Sequence, residues 1–305
     1  MTELPSDTGS PAGSPGNSPG NSPGNSPGGA GLPHPGPLVD PAWLHRQLDA
    51  PGLRILDVRK GSGTFGDGHV PGSVHADYAT SGWRAAAEGA PGMLPPLDDL
   101  ARLAGSLGIG DDTLVVLVPA GLTASDFGAA ARVYWTLKVL GHDRVTVLRG
   151  GFAAWSGDPA RPVGTGPGAA PAPRAFRVRY RPELRATAAE VERARAGGKA
   201  LLVDARSEAQ FRGEEKSPDA RIAGTIPGSL HLDSQNLFPA GGLHAPAGVV
   251  PEGKPVITFC NTGHSAALAW FALSEIEGRP GVRLYDGSMS HWTQDPSRPV
   301  ARGDD

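Results

Sequence analysis

The sequence predicts an α/β protein made of two copies of one domain, each a parallel sheet with helices on both faces. Three observations carry this. A set of motifs occurs twice in the same order, short β-branched runs alternate with longer Ala/Leu-rich segments, and a Gly/Pro/Ala-rich stretch divides the two sets. A chain of 305 residues is long enough for two ordinary domains, each with a core of its own.

The chain opens on low complexity. From Ser14 the unit Ser-Pro-Gly-Asn runs three times and ends in Ser26-Pro27-Gly28, with nothing apolar to bury. Ordering such a segment would cost backbone entropy without return, so residues 1–37 are expected to be disordered. The first domain is expected at 38–156. Its strands are the runs at 53–58, 113–118 and Val145–Leu148, and its main helix is the segment 129–140, stopped by Gly141. Residues 157–173 read as a linker, and 174–305 as the second domain.

The second half repeats the first. Leu56-Asp57-Val58-Arg59 returns as Val203-Asp204-Ala205-Arg206, and Val70-Pro71-Gly72-Ser73-Val74-His75 as Ile226-Pro227-Gly228-Ser229-Leu230-His231. Val147-Leu148-Arg149-Gly150-Gly151-Phe152, followed by Trp155, returns as Leu284-Tyr285-Asp286-Gly287-Ser288-Met289, followed by Trp292. The helix 266–276 matches 129–140 and is stopped by Gly278-Arg279-Pro280.

Composition limits the partners. With 28 Lys+Arg against 31 Asp+Glu the net charge is −3 without long runs of either sign, which gives nucleic acid and membrane surfaces no electrostatic hold. Small molecules are the expected ligands, and the chain is expected to be cytoplasmic. A single cysteine excludes an internal disulfide and any CxxC motif.

That cysteine is where chemistry can sit. The apolar run Val256-Ile257-Thr258-Phe259 leads straight into Cys260-Asn261-Thr262-Gly263-His264-Ser265 and then into a helix near Ala266. In open α/β sheets ligands bind at the carboxyl ends of strands, and a helix start offers unpaired N–H groups that suit an anionic sulfur. Gly263 would let the loop curl. A lone cysteine is more often a small buried hydrophobe, but this position favours a nucleophile. Cysteine phosphatases share the arrangement with a Cys-x5-Arg loop; here the sixth position is Ala266, so the arginine clamp on phosphate is missing.

Taken together, the duplicated half, the Asp-x-Arg, the Ile226-Pro227-Gly228-Ser229 turn, the strand ending in Cys260 and the closing Asp286-Gly287-Ser288-Met289 with Trp292 resemble tandem rhodanese-domain sulfurtransferases. The resemblance runs from Leu38 to Val300. It implies that Cys260 takes a sulfane sulfur from thiosulfate or 3-mercaptopyruvate as a persulfide and passes it to a thiol or cyanide. It also implies an inactive first domain, in agreement with Pro119 at the position matching Cys260, and no metal or organic cofactor. Asn261, Thr262, Gly263, His264 and Ser265 are then the substrate loop, and Asp204 with Arg206 supports it as a structural brace. The family's usual anion-binding arginine falls on Gln210, so Arg212 is expected to take that role. His75 and His231 recur in both halves and are expected to be structural, as are the tryptophans. The alternative reading is a non-catalytic sulfur carrier or interaction module.

Overall fold

β-Branched runs in the two halves pair into two separate sheets. The computed structural model describes residues 32–239, 242–246 and 248–303. The first half contains β1 (Leu38–Val39), α1 (Pro41–Gln47), β2 (Leu53–Asp57), α2 (Ser62–Asp67), β3 (Val74–His75), β4 (Ala85–Ala87) and β5 (Ala90–Met93). It continues with α3 (Leu97–Ser106), β6 (Leu114–Val118), α4 (Ala124–Val139), β7 (Val145–Leu148) and α5 (Gly151–Ser156). Its main sheet has the order β1-β7-β6-β2-β3, with every pair parallel. β6 is buried at all of its positions, as a parallel strand covered on both faces must be.

The second half contains α6 (Ala188–Gly197), β8 (Leu201–Asp204), α7 (Glu208–Phe211), β9 (Leu230–His231), β10 (Val256–Phe259), α8 (Ser265–Phe271), β11 (Val282–Leu284) and α9 (Ser288–Trp292). Its parallel sheet has the order β11-β10-β8-β9. The edge strand that β1 supplies in the first half shrinks here to one bridge between Arg185 and Leu284. No helix among the described residues is long and apolar enough to cross a membrane.

The repeated motifs occupy equivalent places. In each half the arginine of Asp-x-Arg returns onto its aspartate: Arg59 Nη2 lies 2.7 Å from Asp57 Oδ2, and Arg206 Nη2 2.5 Å from Asp204 Oδ2. Each arginine also donates to the carbonyl before the next turn, Gly68 or Gly224. His75 and His231 bond the carbonyls of Arg59 and Arg206 at 2.9 and 2.8 Å and stack on Phe65 and Phe211. These pairs brace loops in both halves, including the half without a cysteine.

Four boundaries differ from the sequence reading. α4 starts at Ala124 rather than 129, because Thr123 and Asp126 form a reciprocal capping box. The stretch read as the start of the linker closes the first domain instead. Trp155 Nε1 donates to Pro162 O at 2.8 Å and Gly164 bridges His69, just as Trp292 Nε1 donates to Pro299 O at 2.9 Å and Ala301 bridges Thr225. A buried indole N–H needs an acceptor, and the following chain supplies it in both halves. Beyond this, Arg174, Arg179 and Arg181 still bond first-domain carbonyls through their amides, so residues 174–181 run along the first domain. At the other end, the disorder expected for 1–37 lies outside the described residues as far as 31. Residues 32–37 are placed against β7, where Pro37 O accepts from Val147 N at 2.9 Å and His34 Nε2 lies 2.9 Å from Val145 O.

The described residues form one compact unit. The reason lies in α4, an apolar helix buried on nearly every side. One side covers its own sheet and another packs on α8, where Phe127 and Tyr134 meet Phe271 edge-on at 5.3 and 4.9 Å. The Tyr134 hydroxyl donates to Glu275 Oε2 at 2.7 Å, on the π-helical turn Ala272–Ile276 that extends α8. One apolar cluster therefore runs through both domains, while each domain keeps a smaller cluster of its own on the other face of its sheet, around Ile55 and Trp155 in the first and Ile257 and Trp292 in the second.

Candidate active site

The site is built where β10 ends against the first domain. Cys260 follows β10 directly and is 2% exposed. Gly263 takes φ +74°, and a Cβ there would stand 2.5 Å from Arg132 Nη1 and 2.8 Å from Asp286 O. Only glycine meets both demands, and the loop curls as a result.

Ser288 fills the curl. Its hydroxyl accepts from the amides of Cys260 at 3.0 Å and Gly263 at 3.1 Å, donates to Tyr285 O at 2.9 Å, and lies 3.9 Å from Cys260 Sγ. Two acceptances and one donation saturate a hydroxyl. Ser288 has φ +50°, a left-handed conformation that costs a residue with a Cβ about 1–2 kcal/mol. The matching position in the first half is Gly151, at φ +56°. There a Cβ would stand 2.2 Å from Pro119 O, so the cysteine-less loop has closed over the space that Ser288 occupies in the second half. The amides of Asn261, Thr262, His264 and Ser265 have no partner among the described residues, which leaves N–H groups to receive an anion.

The first domain roofs this loop. β4 and β5 form a hairpin through Glu88 and Gly89, both at positive φ as a two-residue I′ turn requires. Its backbone touches the cysteine loop, since a Cβ on Gly92 would stand 2.1 Å from Thr262 O. Its tip is pinned by α9 and the turn after it: Glu88 Oε2 lies 2.9 Å from His291 Nε2, and Gln294 Nε2 donates to Gly89 O. Asp286 accepts from Leu94 N at 2.6 Å and from Arg185 Nε at 2.9 Å.

Arg132, from α4, is fully buried and donates to Gly263 O at 3.2 Å and Gly92 O at 2.9 Å. Burial pushes its guanidinium below the usual value, while Tyr78, Asp286 and Cys260 pull it back up. Tyr78 faces the same group: burial raises its phenol, Arg132 and Arg84 lower it, and Cys260 raises it.

His264 belongs to this interface. Its Nδ1 lies 3.1 Å from the Tyr78 hydroxyl and its Nε2 3.0 Å from Ser125 O. Its pKa is pushed down to about 4, chiefly by burial, so at neutral pH Nε2–H donates to Ser125 and Nδ1 accepts from Tyr78. With both nitrogens engaged, His264 docks the loop on the first domain.

The remaining expected residues separate into two groups. Asn261 joins the site, its Nδ2 donating to Gln210 Oε1 at 2.9 Å with Arg206 Nη1 3.5 Å from its Oδ1. The Asp204–Arg206 pair thus supports the loop from below, with Thr225 Oγ1 bonding Asp204 at 2.7 Å. Arg212 instead caps α7 and pairs with Glu208 at 2.7 Å, half exposed. The position that meets the cysteine loop is Gln210, because the short helix turns residue 212 away by more than half a turn. Tyr78, Arg84 and Arg132 were not singled out from the sequence, and Asp286 and Ser288 entered only as part of a repeated motif, without a place in the site. Two of them carried a signal: Arg132 is a lone cation in an Ala-rich run, and Ser288 replaces the first half's Gly151.

The rhodanese-like domain model matches the chain twice, over residues 40–158 and 187–295. A Thermus thermophilus protein named sulfur carrier protein TtuD is 30% identical, covering 90% of this chain and 100% of its own. A probable 3-mercaptopyruvate sulfurtransferase of Pseudomonas aeruginosa is 36% identical, covering 86% and 96%. The crystal structure of the Escherichia coli 3-mercaptopyruvate sulfotransferase SseA superposes with a TM-score of 0.72 at 27% identity, covering 83% of this chain and 98% of that one.

Proposed function

The chain belongs to the rhodanese-like domain family in both of its halves, and from that premise we propose that it is a sulfurtransferase working through a persulfide on Cys260. The observation that carries the proposal is the cysteine loop, curled by Gly263 around the Ser288 hydroxyl, with amide N–H groups left over for an anionic sulfur.

The Cys260 thiolate attacks the outer sulfur of thiosulfate; a sulfur–sulfur bond forms on the enzyme, the donor's sulfur–sulfur bond breaks, and sulfite leaves with the electron pair. With 3-mercaptopyruvate the carbon–sulfur bond breaks, and its pair stays on carbon as an enolate that takes up a proton to give pyruvate. Cyanide then attacks the terminal sulfur, leaving as thiocyanate and restoring the thiolate; a thiol acceptor leaves as its persulfide. Cys260 is the chain's only cysteine, so the intermediate cannot collapse into an internal disulfide. A reducing, cytoplasmic compartment suits thiol acceptors.

The Thermus relative's name favours a second reading, in which the loaded chain hands sulfur to a protein acceptor. Incubation with each donor should add one sulfur atom to the intact mass, cyanide should remove it, and Cys260→Ser should abolish both events in a folded protein. Loading without turnover on small acceptors would select the carrier reading. No loading from either donor would remove both.

A further inference from the structure

The cysteine loop is neutral, while the sulfur donors of the proposed reaction are anions. Second-domain cations near the loop are already committed: Arg206 to Asp204, and Arg212 to Glu208. The position between them on the loop side is the uncharged Gln210, which is spent on Asn261. Arg132 is fixed to two carbonyls.

Arg84 differs from all of these. It immediately precedes β4, at the base of the hairpin that covers the cysteine loop, and its guanidinium carbon sits 4.7 Å from the centroid of the Tyr78 ring. Its Nε is buried with no acceptor, as is that of Arg132, but unlike Arg132 it makes no hydrogen bond through its other nitrogens among the described residues, and no carboxylate among them pairs with it. The acidic residue of the same hairpin, Glu88, is taken by His291. A half-buried guanidinium without a counter-ion is costly unless a ligand supplies the charge. The ring it covers is the one whose hydroxyl meets His264 of the cysteine loop at 3.1 Å.

We propose that Arg84, contributed by the domain without a nucleophile, binds the anionic group of the sulfur donor at the Cys260 site. The inference rests on the sulfurtransferase reading and adds to it where the donor's charge is held. The shared chemistry is a small oxyanion, the sulfonate-like end of thiosulfate or the carboxylate of 3-mercaptopyruvate. A planar guanidinium suits either through paired N–H donors, and the Tyr78 ring keeps its plane fixed. The division of labour also gives the cysteine-less half a reason to stay attached, since the donor site is incomplete without it.

The test uses the full chain with thiosulfate and, separately, 3-mercaptopyruvate, each with cyanide as acceptor, and reads kcat and KM together with the urea unfolding midpoint. Arg84→Gln should raise the donor KM about ten- to a hundredfold, the loss of a charge-assisted contact, with a smaller change in kcat and an unchanged midpoint. Arg84→Lys should recover part of the KM, and Arg102→Gln, an exposed arginine on α3, should leave it as it was. In a Cys260→Ser background, Arg84→Gln should also abolish thiosulfate binding measured by calorimetry. A KM raised for one donor alone would support the assignment and name the donor. A wild-type chain that loads normally while Arg84→Gln keeps its KM for both donors would overturn the assignment and leave the sulfurtransferase reading standing. A fall in kcat with a lowered midpoint and unchanged KM would overturn it in favour of a structural role. A wild-type chain that loads from neither donor would instead overturn the reading on which it rests.

Discussion

Replacing Ser288 by alanine removes one oxygen and leaves two buried N–H groups, those of Cys260 and Gly263, without their acceptor. An unsatisfied buried donor costs about 1–3 kcal/mol, so Ser288→Ala is expected to destabilise the protein by about 3 kcal/mol. Serine and alanine bear the left-handed backbone alike. Ser288→Gly loses the same bonds but sheds the conformational cost, about 1–2 kcal/mol, and should therefore be the less damaged variant. Urea unfolding with both variants separates the two contributions, and persulfide loading followed by intact mass reports on the site. Loading should slow in both, because the curl that exposes the remaining amides is no longer held. The reasoning is refuted if Ser288→Ala unfolds within about 0.5 kcal/mol of the wild type, or if Ser288→Gly proves the less stable of the two.

Other consequences follow from the same geometry. Gly263→Ala combines a left-handed backbone with contacts of 2.5 and 2.8 Å to Arg132 and Asp286, and should abolish sulfur loading; an active variant would show that the loop has another resting shape. His264 binds its proton less readily in the folded state, with its pKa moved from 6.5 to about 4, mainly by burial and further by Arg84, Lys60 and Arg132. Below pH 6.5 the unfolded chain takes up a proton that the native state refuses, so stability present above that pH is lost progressively towards pH 4, by up to about 3 kcal/mol. Unfolding midpoints at pH 7.5 and pH 5 should diverge more for the wild type than for His264→Gln, and equal slopes would count against it. Arg212→Ala should leave the donor KM within about twofold, since Arg212 already pairs with Glu208 in a half-exposed contact; a tenfold rise would return the anion-binding role to Arg212.

How much of this was legible beforehand depends on the distance over which each feature is decided. The paired α/β halves could be read from the chain because strand and helix periods, Asp-x-Arg and the Ile-Pro-Gly-Ser turn are local patterns, and their repetition in order leaves little room for chance. The cysteine loop was legible for the same reason: a buried strand, a cysteine, a glycine that must turn and a helix start lie within about a dozen residues. The Gly/Pro-rich stretch after Trp155 misled because composition does not reveal that a buried indole N–H needs Pro162 O. Nor could helix 129–140 show what covers its second side; an Ala-rich run announces burial without naming the partner.

The other half of the site was decided by tertiary structure alone. Arg132 meets Gly263 across 131 positions, Tyr78 meets His264 across 186, and Leu94 meets Asp286 across 192. These contacts depend on the rigid-body angle at which α4 lies on α8, a sum of many apolar contacts in which no single residue announces its partner. That there are two similar domains, and which of them holds the nucleophile, is written in the order of residues along the chain. That the other domain roofs the cysteine, fixes its loop with a buried arginine and brings Arg84 to its edge follows only from how the two are docked, because side chains far apart in the chain acquire a common environment only once the apolar faces between them are closed.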